Sequence, residues 1–214
     1  MLGRVLEVVT GQPLDEVLRT RILDPLRMRD TSFYVPREKA ARLATVYGIA
    51  AGGTLTRAPD SGAEGLGSTG QGAYLDGPRK CFSGGAGLVS TITDYARFLQ
   101  MLLNGGELDG ARVLSPASIA SMTANHVGHL YREGNFGFGL GFEVVEHVGR
   151  AGRLGAAGEF SWGSAYFPRY FVDPADGIVA IFMTQLIPAG VCATKGVLPK
   201  GVHNMARKQQ VYLA

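Results

Sequence analysis

Five consecutive residues, Trp162, Gly163, Ser164, Ala165 and Tyr166, combine an indole, two hydroxyls and closely spaced backbone N–H groups on a β-rich run. An indole can wall an apolar pocket. A serine hydroxyl can bond a carboxylate, and an N–H at a strand end can hold an oxyanion. Each also has an ordinary reading. Tryptophan often sits half-buried on a strand, strand serines are common, and tyrosine usually packs with its hydroxyl at the surface. None of the five is a nucleophile with a base beside it. Ser83 with Lys80 is the one Ser–Lys pair at helical spacing, but its order is reversed and Gly84 and Gly85 favour a turn. His126 and His129 stand three apart, yet Gly128 and the lack of a neighbouring carboxylate or cysteine favour solvated imidazoles over a metal site. Asp173 and Asp176 flank a turn and are assigned local backbone bonding, with no acid–base role. Glu159 is expected to be exposed at a strand start. The sequence contains no Ser-x-x-Lys, no Tyr-x-Asn or Ser-x-Asn, no G-x-S-x-G, no H-E-x-x-H, no phosphate loop and no C-x-x-C.

The elements that must position these residues are partly legible. Gly158 to Thr184 reads as two β-rich runs around the turn D-P-A-D-G, with Gly177 supplying a positive φ. Ile178 to Met183 is an unbroken apolar run, which predicts a strand buried on both faces. Phe138, Leu140, Phe142 and Val144 alternate with Gly139, Gly141 and Glu143, which predicts one half-buried strand. Three antiparallel strands are therefore expected, at 138–147, 159–172 and 178–185. Upstream, Leu2, Val5, Leu6 and Val9 fall on one helical face, and Gly11 suits a C-cap. A second helix is predicted over 14–23, limited by Pro25, after which Met28 and Phe33 dock into a core. Thr91 or Ser90 caps a helix carrying Tyr95, Phe98, Leu99 and Leu102, with Asp94 placed as in a capping box. Ser115-Pro116 starts another, with Ile119 and Met122 facing inward. Gly48 to Gly87 is glycine-rich and aperiodic, either a mobile loop, the favoured reading, or a folded excursion. A short terminal helix is expected over 205–213.

A chain of 214 residues allows one large domain or parts of two, and 46% apolar residues support a core. Only 18% are charged, which excludes wholesale disorder. The net charge of +3 comes without a basic stripe, so no nucleic-acid partner is expected. No run is long enough to cross a membrane, and no leader is read at the N-terminus, so a cytoplasmic location is expected. Cys81 and Cys192 are expected to be free thiols.

Taken in order, L-G-R-V-L-E-V-V-T-G-Q-P-L, P-L-R-M-R-D-T-S-F, S-G-G-A-G-L-V-S-T-I-T-D-Y-A-R-F-L-Q-M-L-L-N-G-G, G-F-G-L-G-F and G-E-F-S-W-G-S resemble the serine β-lactamase and penicillin-binding-protein superfamily, closest to its class C-like esterases. The resemblance implies an α+β chain, a partial β-lactamase/transpeptidase-like fold with helices packed on an antiparallel sheet lacking its N-terminal strands. Residues 1–125 would form a mainly helical region and 126–214 a sheet-forming region of one domain. It implies acyl transfer through a Ser-x-x-Lys pair, a Tyr-x-Asn motif and a third element on a strand. Only the third element is matched. Trp162, Gly163 and Ser164 take its place, Ala165 would give the oxyanion N–H and Tyr166 would gate the pocket. The esterases carry a second glycine where Ser164 stands, and a glycine where Arg27 precedes Met28. The chain reads as the C-terminal part of such a hydrolase, by itself inactive; a natural short form or a non-catalytic relic binding a ligand or partner is the alternative. Small acyl esters or amides are the implied substrates, no cofactor is implied, and Ile178 to Thr184 is expected to be an edge open to self-association or a partner.

Overall fold

A computed structural model of the chain describes residues 1–50, 54–60, 71–77, 79, 82–152 and 154–187. Helix α1 spans Leu2–Thr10 and stops at Gly11, whose φ of 67° lets its N–H reach the Glu7 carbonyl. Its apolar face is uncovered: Leu2 is 81% exposed and Val9 78%. Helix α2, Leu14–Leu18, runs on through a wider π turn at Arg19–Leu23, so the expected helix over 14–23 is present. Met28 and Phe33 then enter the core as expected, with Leu26 buried beside them. Arg27 between them holds a φ of 54°.

The glycine-rich stretch is folded in part. Strands β1, Tyr47–Ile49, and β2, Leu55–Arg57, form an antiparallel hairpin. The Gln71 side chain stitches its base, donating to the carbonyls of Val46 at 2.9 Å and Ala58 at 3.1 Å and accepting from the Val46 N–H at 3.1 Å. Residues 51–53 and 61–70 lie outside the described residues, as do Lys80, Cys81, Cys192 and the helix expected over 205–213.

Helix α3, Ile92–Leu103, is capped by Thr91, whose hydroxyl accepts the Asp94 N–H. Asp94 does not reach back to complete a capping box. Its buried carboxylate accepts instead from the Asp30 N–H at 2.7 Å and the Thr31 hydroxyl at 2.9 Å, pinning the 25–33 turn to α3. A small hairpin follows, β3 at Glu107–Leu108 and β4 at Ala111–Arg112. Helix α4, Pro116–Met122, starts on a Ser115 cap as expected.

The principal sheet has five antiparallel strands in the order β5 Gly137–Phe138, β6 Glu143–Val144, β7 Phe160–Gly163, β8 Arg169–Asp173 and β9 Ile178–Phe182. Three were expected, and two of those are broken by turns. The 138–144 run folds on itself: the Gly139 N–H donates to the Phe142 carbonyl at 2.8 Å, and Gly141 takes a φ of 100° that a side chain would strain. Apolar alternation continues through so tight a turn, so periodicity alone cannot reveal it. The 159–172 run breaks at 164–168, where Pro168 has no N–H to give a ladder. The third expected strand is not buried on both faces. Val179 and Ile181 pack on the core, while Phe182, on the opposite face, is 39% exposed; β9 borders no further strand among the described residues.

One core joins Leu23, Leu26 and Met28 to Leu99, Met101 and Leu102 of α3 and to Phe142, Val144, Phe160 and Val172 of the sheet. Helices on an antiparallel sheet make this an α+β chain. A short helix α5, Val148–Ala151, lies between β6 and β7. Finally β10, Leu186–Ile187, returns to pair in parallel with β1. There Val46, Ala58 and Ile187 form a second, smaller core.

Candidate functional site

The predicted site residues occupy the end of β7 and the turn after it. Trp162 stands opposite Tyr170 and Gly163 opposite Arg169. A Cβ at Gly163 would meet the Arg169 side chain, whose flexible guanidinium end would have to shift. In the turn, the Phe167 N–H donates to the Ser164 carbonyl at 3.0 Å, and Phe167 holds a φ of 69°. A phenylalanine in that region is strained, and strain of this kind collects where surrounding structure fixes a functional turn. The Ser164 hydroxyl accepts from the Tyr166 N–H at 3.4 Å, a weak local contact. Ala165 is exposed, and its N–H meets no acceptor among the described residues.

Tyr166 holds the turn in place. Its carbonyl accepts from the Thr184 hydroxyl at 2.9 Å and the Leu186 N–H at 3.1 Å. Its ring packs on Val46, Ala58 and Ile187. Tyr166 thus clamps the turn between the two sheets.

Trp162 is 43% exposed and meets Phe138 edge-on, 5.1 Å between ring centres. Phe138 tilts against Tyr131 at 5.1 Å. The Arg132 guanidinium lies 5.4 Å from the Tyr131 ring and 5.5 Å from that of Phe136. The Tyr131 hydroxyl and Arg132 Nε both meet Glu143 Oε2 at 3.2 Å. Burial, then the Glu143 charge, raises the Tyr131 phenol above its ordinary range. Burial likewise drives Tyr170, behind Trp162, far above it, so this phenol stays neutral.

The remaining candidates are dispersed. Glu159, expected in solvent, is only 3% exposed, enclosed by the preceding loop; a Cβ at Gly155 would collide with its carboxylate. Asp173 Oδ1 accepts from the N–H groups of Ala175 at 2.9 Å and Asp176 at 3.3 Å, the local role assigned to it. The Ser83 hydroxyl accepts from the N–H groups of Gly85 and Ala86, as in a turn. His126 Nε2 sits 2.7 Å from the Ser121 carbonyl. No cluster of three or more potential metal ligands exists among the described residues. Sequence reasoning missed the aromatic row from Phe138 to Tyr131 and the cation on it. Phe138 was read as one strand residue among several, and Tyr131-Arg132 carries no periodic signal.

Comparison with known proteins gives this geometry a family. The Beta-lactamase family model matches residues 1–191. The chain is 32% identical over 200 residues to Protein Rv1367c of Mycobacterium tuberculosis, covering 88% of this chain and 47% of that one. It is 31% identical over 199 residues to Esterase EstB of Burkholderia gladioli, covering 89% and 49%. The solved structure of EstCE1, a hydrolase with promiscuous acyltransferase activity, matches with a TM-score of 0.74 and 28% identity, over 97% of this chain and 53% of that one. The chain thus spans about half the length of the curated relatives it matches. No helix among the described residues is long and apolar enough to cross a membrane. With the family model matched over nearly all its length and helices laid on an antiparallel sheet as in EstCE1, the chain belongs to the Beta-lactamase family.

Proposed function

We propose that this chain supplies the acyl-binding and oxyanion-holding part of a serine hydrolase that cleaves carboxylic esters through an acyl-serine intermediate. The observation that carries the reading is the Ala165 N–H, exposed and without an acceptor among the described residues, at the end of a strand beside half-exposed Trp162. Attack of a serine hydroxyl on an ester carbonyl puts negative charge on the carbonyl oxygen. A fixed N–H aimed at that oxygen lowers the barrier, by about 3–4 kcal/mol for one well-placed donor. Trp162 then lies against the acyl group. The serine and its lysine belong to a Ser-x-x-Lys segment, which these 214 residues do not contain. The uncovered apolar face of α1 and the outer edge of β9 are the surfaces on which such a segment packs. Esters are favoured because Esterase EstB and a Lovastatin esterase, whose names record ester cleavage, are among the relatives.

The test uses p-nitrophenyl butyrate. The 214-residue chain alone is expected to be inert, and to gain turnover when a polypeptide carrying Ser-x-x-Lys and Tyr-x-Asn from an esterase relative is added. A burst of one product per chain from the chain alone would overturn the reading.

A further inference from the structure

The aromatic row beside Trp162 ends in a cation whose placement the ester chemistry does not require. Trp162, Phe138 and Tyr131 follow one another at 5.1 Å per step, and Arg132 closes the row 5.4 Å from the Tyr131 ring. Trp162 is half exposed, and Phe138, Tyr131 and Arg132 are open to solvent in part. Three independent features hold Arg132 where it is. Its backbone takes a φ of 44°, a region arginine seldom occupies. Its guanidinium stacks on Tyr131 and Phe136. Its Nε is tied to Glu143, a buried carboxylate that also meets the Tyr131 hydroxyl. The Arg132 side chain is 55% exposed with Nε committed to Glu143, and the Nη1–Nη2 end of a guanidinium is a fork that meets a carboxylate with two parallel hydrogen bonds. Backbone strain of this kind clusters at binding and active sites.

We propose that Trp162, Phe138, Tyr131 and Arg132 form an extended acyl subsite selective for esters whose acyl chain ends in a carboxylate, the half-esters of dicarboxylic acids. The apolar chain lies along the three rings, and the terminal carboxylate meets the Arg132 fork. The ester carbonyl lies at the Trp162 end, near Ala165. This rests on the proposed role of Trp162 as the wall of the acyl site.

Trp162 is the only tryptophan of the chain, so its emission reports occupancy of this site without any need for turnover. The 214-residue chain is titrated with monomethyl sebacate and with dimethyl sebacate, which differ in the terminal charge. The half-ester is expected to saturate the emission change at about tenfold lower concentration, the difference expected of one charge-assisted fork. Arg132→Gln is expected to bring the two esters to the same half-saturation point, and 1 M NaCl to narrow the gap in the wild-type chain. Equal half-saturation by both esters in the wild-type chain overturns the carboxylate subsite and leaves the acyl-site reading of Trp162 standing. An emission that responds to neither ester overturns both. The wild-type comparison needs no variant, so a folding defect in Arg132→Gln, which strips Glu143 of a partner, does not blunt it.

Discussion

At the scale of single residues, chemistry that acts over a few positions was legible. Gly11 and Gly177 take the positive φ their places demand, Thr91 and Ser115 cap their helices, and Asp173 bonds the N–H groups just after it. Each depends only on near neighbours, so the local sequence suffices. Arg27 shows the same logic inverted. Glycine is usual before the docking methionine in the family it resembles, and the structure gives the reason: the backbone there is left-handed, φ 54°. Arg27→Gly is expected to stabilise the chain by about 0.5–1 kcal/mol, raising Tm by roughly 1–4 °C, because strain relief outweighs the added freedom of the unfolded chain. Thermal unfolding followed by circular dichroism decides it, and an unchanged or lowered Tm refutes it. Glu159 was not legible. Nothing in its neighbours announces a loop closing over it, and burial imposed by tertiary structure leaves no local mark.

At the scale of elements, helices were read well and strands poorly. Helical spacing persists over several turns, so α1, α2 and α3 stood out. A strand of two residues, such as β5 or β6, is shorter than any period that could betray it. The pairing of β1 with β10 lies beyond local pattern altogether. Between elements, charge supplies a testable brace. Asp30, in the turn pinned to α3, meets Lys39 Nζ at 2.6 Å and Arg42 Nη2 at 2.8 Å across a 3₁₀ turn at Arg37–Arg42. The Arg42 and Lys39 contacts hold its carboxyl down to about 2, below an ordinary value of 3.8. A depressed folded pKa gives stability that is present above the unfolded value and lost as pH falls between the two. Asp30→Asn is therefore expected to lower the urea midpoint at pH 6, with the gap to wild type closing as the pH drops from about 4 toward 2. A gap that stays constant over this range would show that the pair of cations does not act through the Asp30 charge.

At the scale of the whole molecule, the α1 face bearing Leu2 and Val9 is exposed, and β9 borders no further strand among the described residues. Apolar surface and an open strand edge both favour association. The isolated chain is expected to sediment as more than a monomer at micromolar concentration, and Val9→Glu, at a position 78% exposed in the single chain, to shift it toward the monomer. A monodisperse wild-type monomer would refute this. The clamp on the 164–168 turn bears on how the molecule comes into being. Tyr166 is held by Thr184 and Leu186, and the strand that Leu186 begins also completes the sheet started by Tyr47 near the other end of the chain. Contacts so far apart in sequence close late. During synthesis the ribosome must release the last of these residues before the first can find its mate. The loop that would cradle substrate thus acquires its final shape only after Leu186 has left the ribosome, and a nascent chain stalled short of Leu186 would carry most of the core yet lack a formed binding turn.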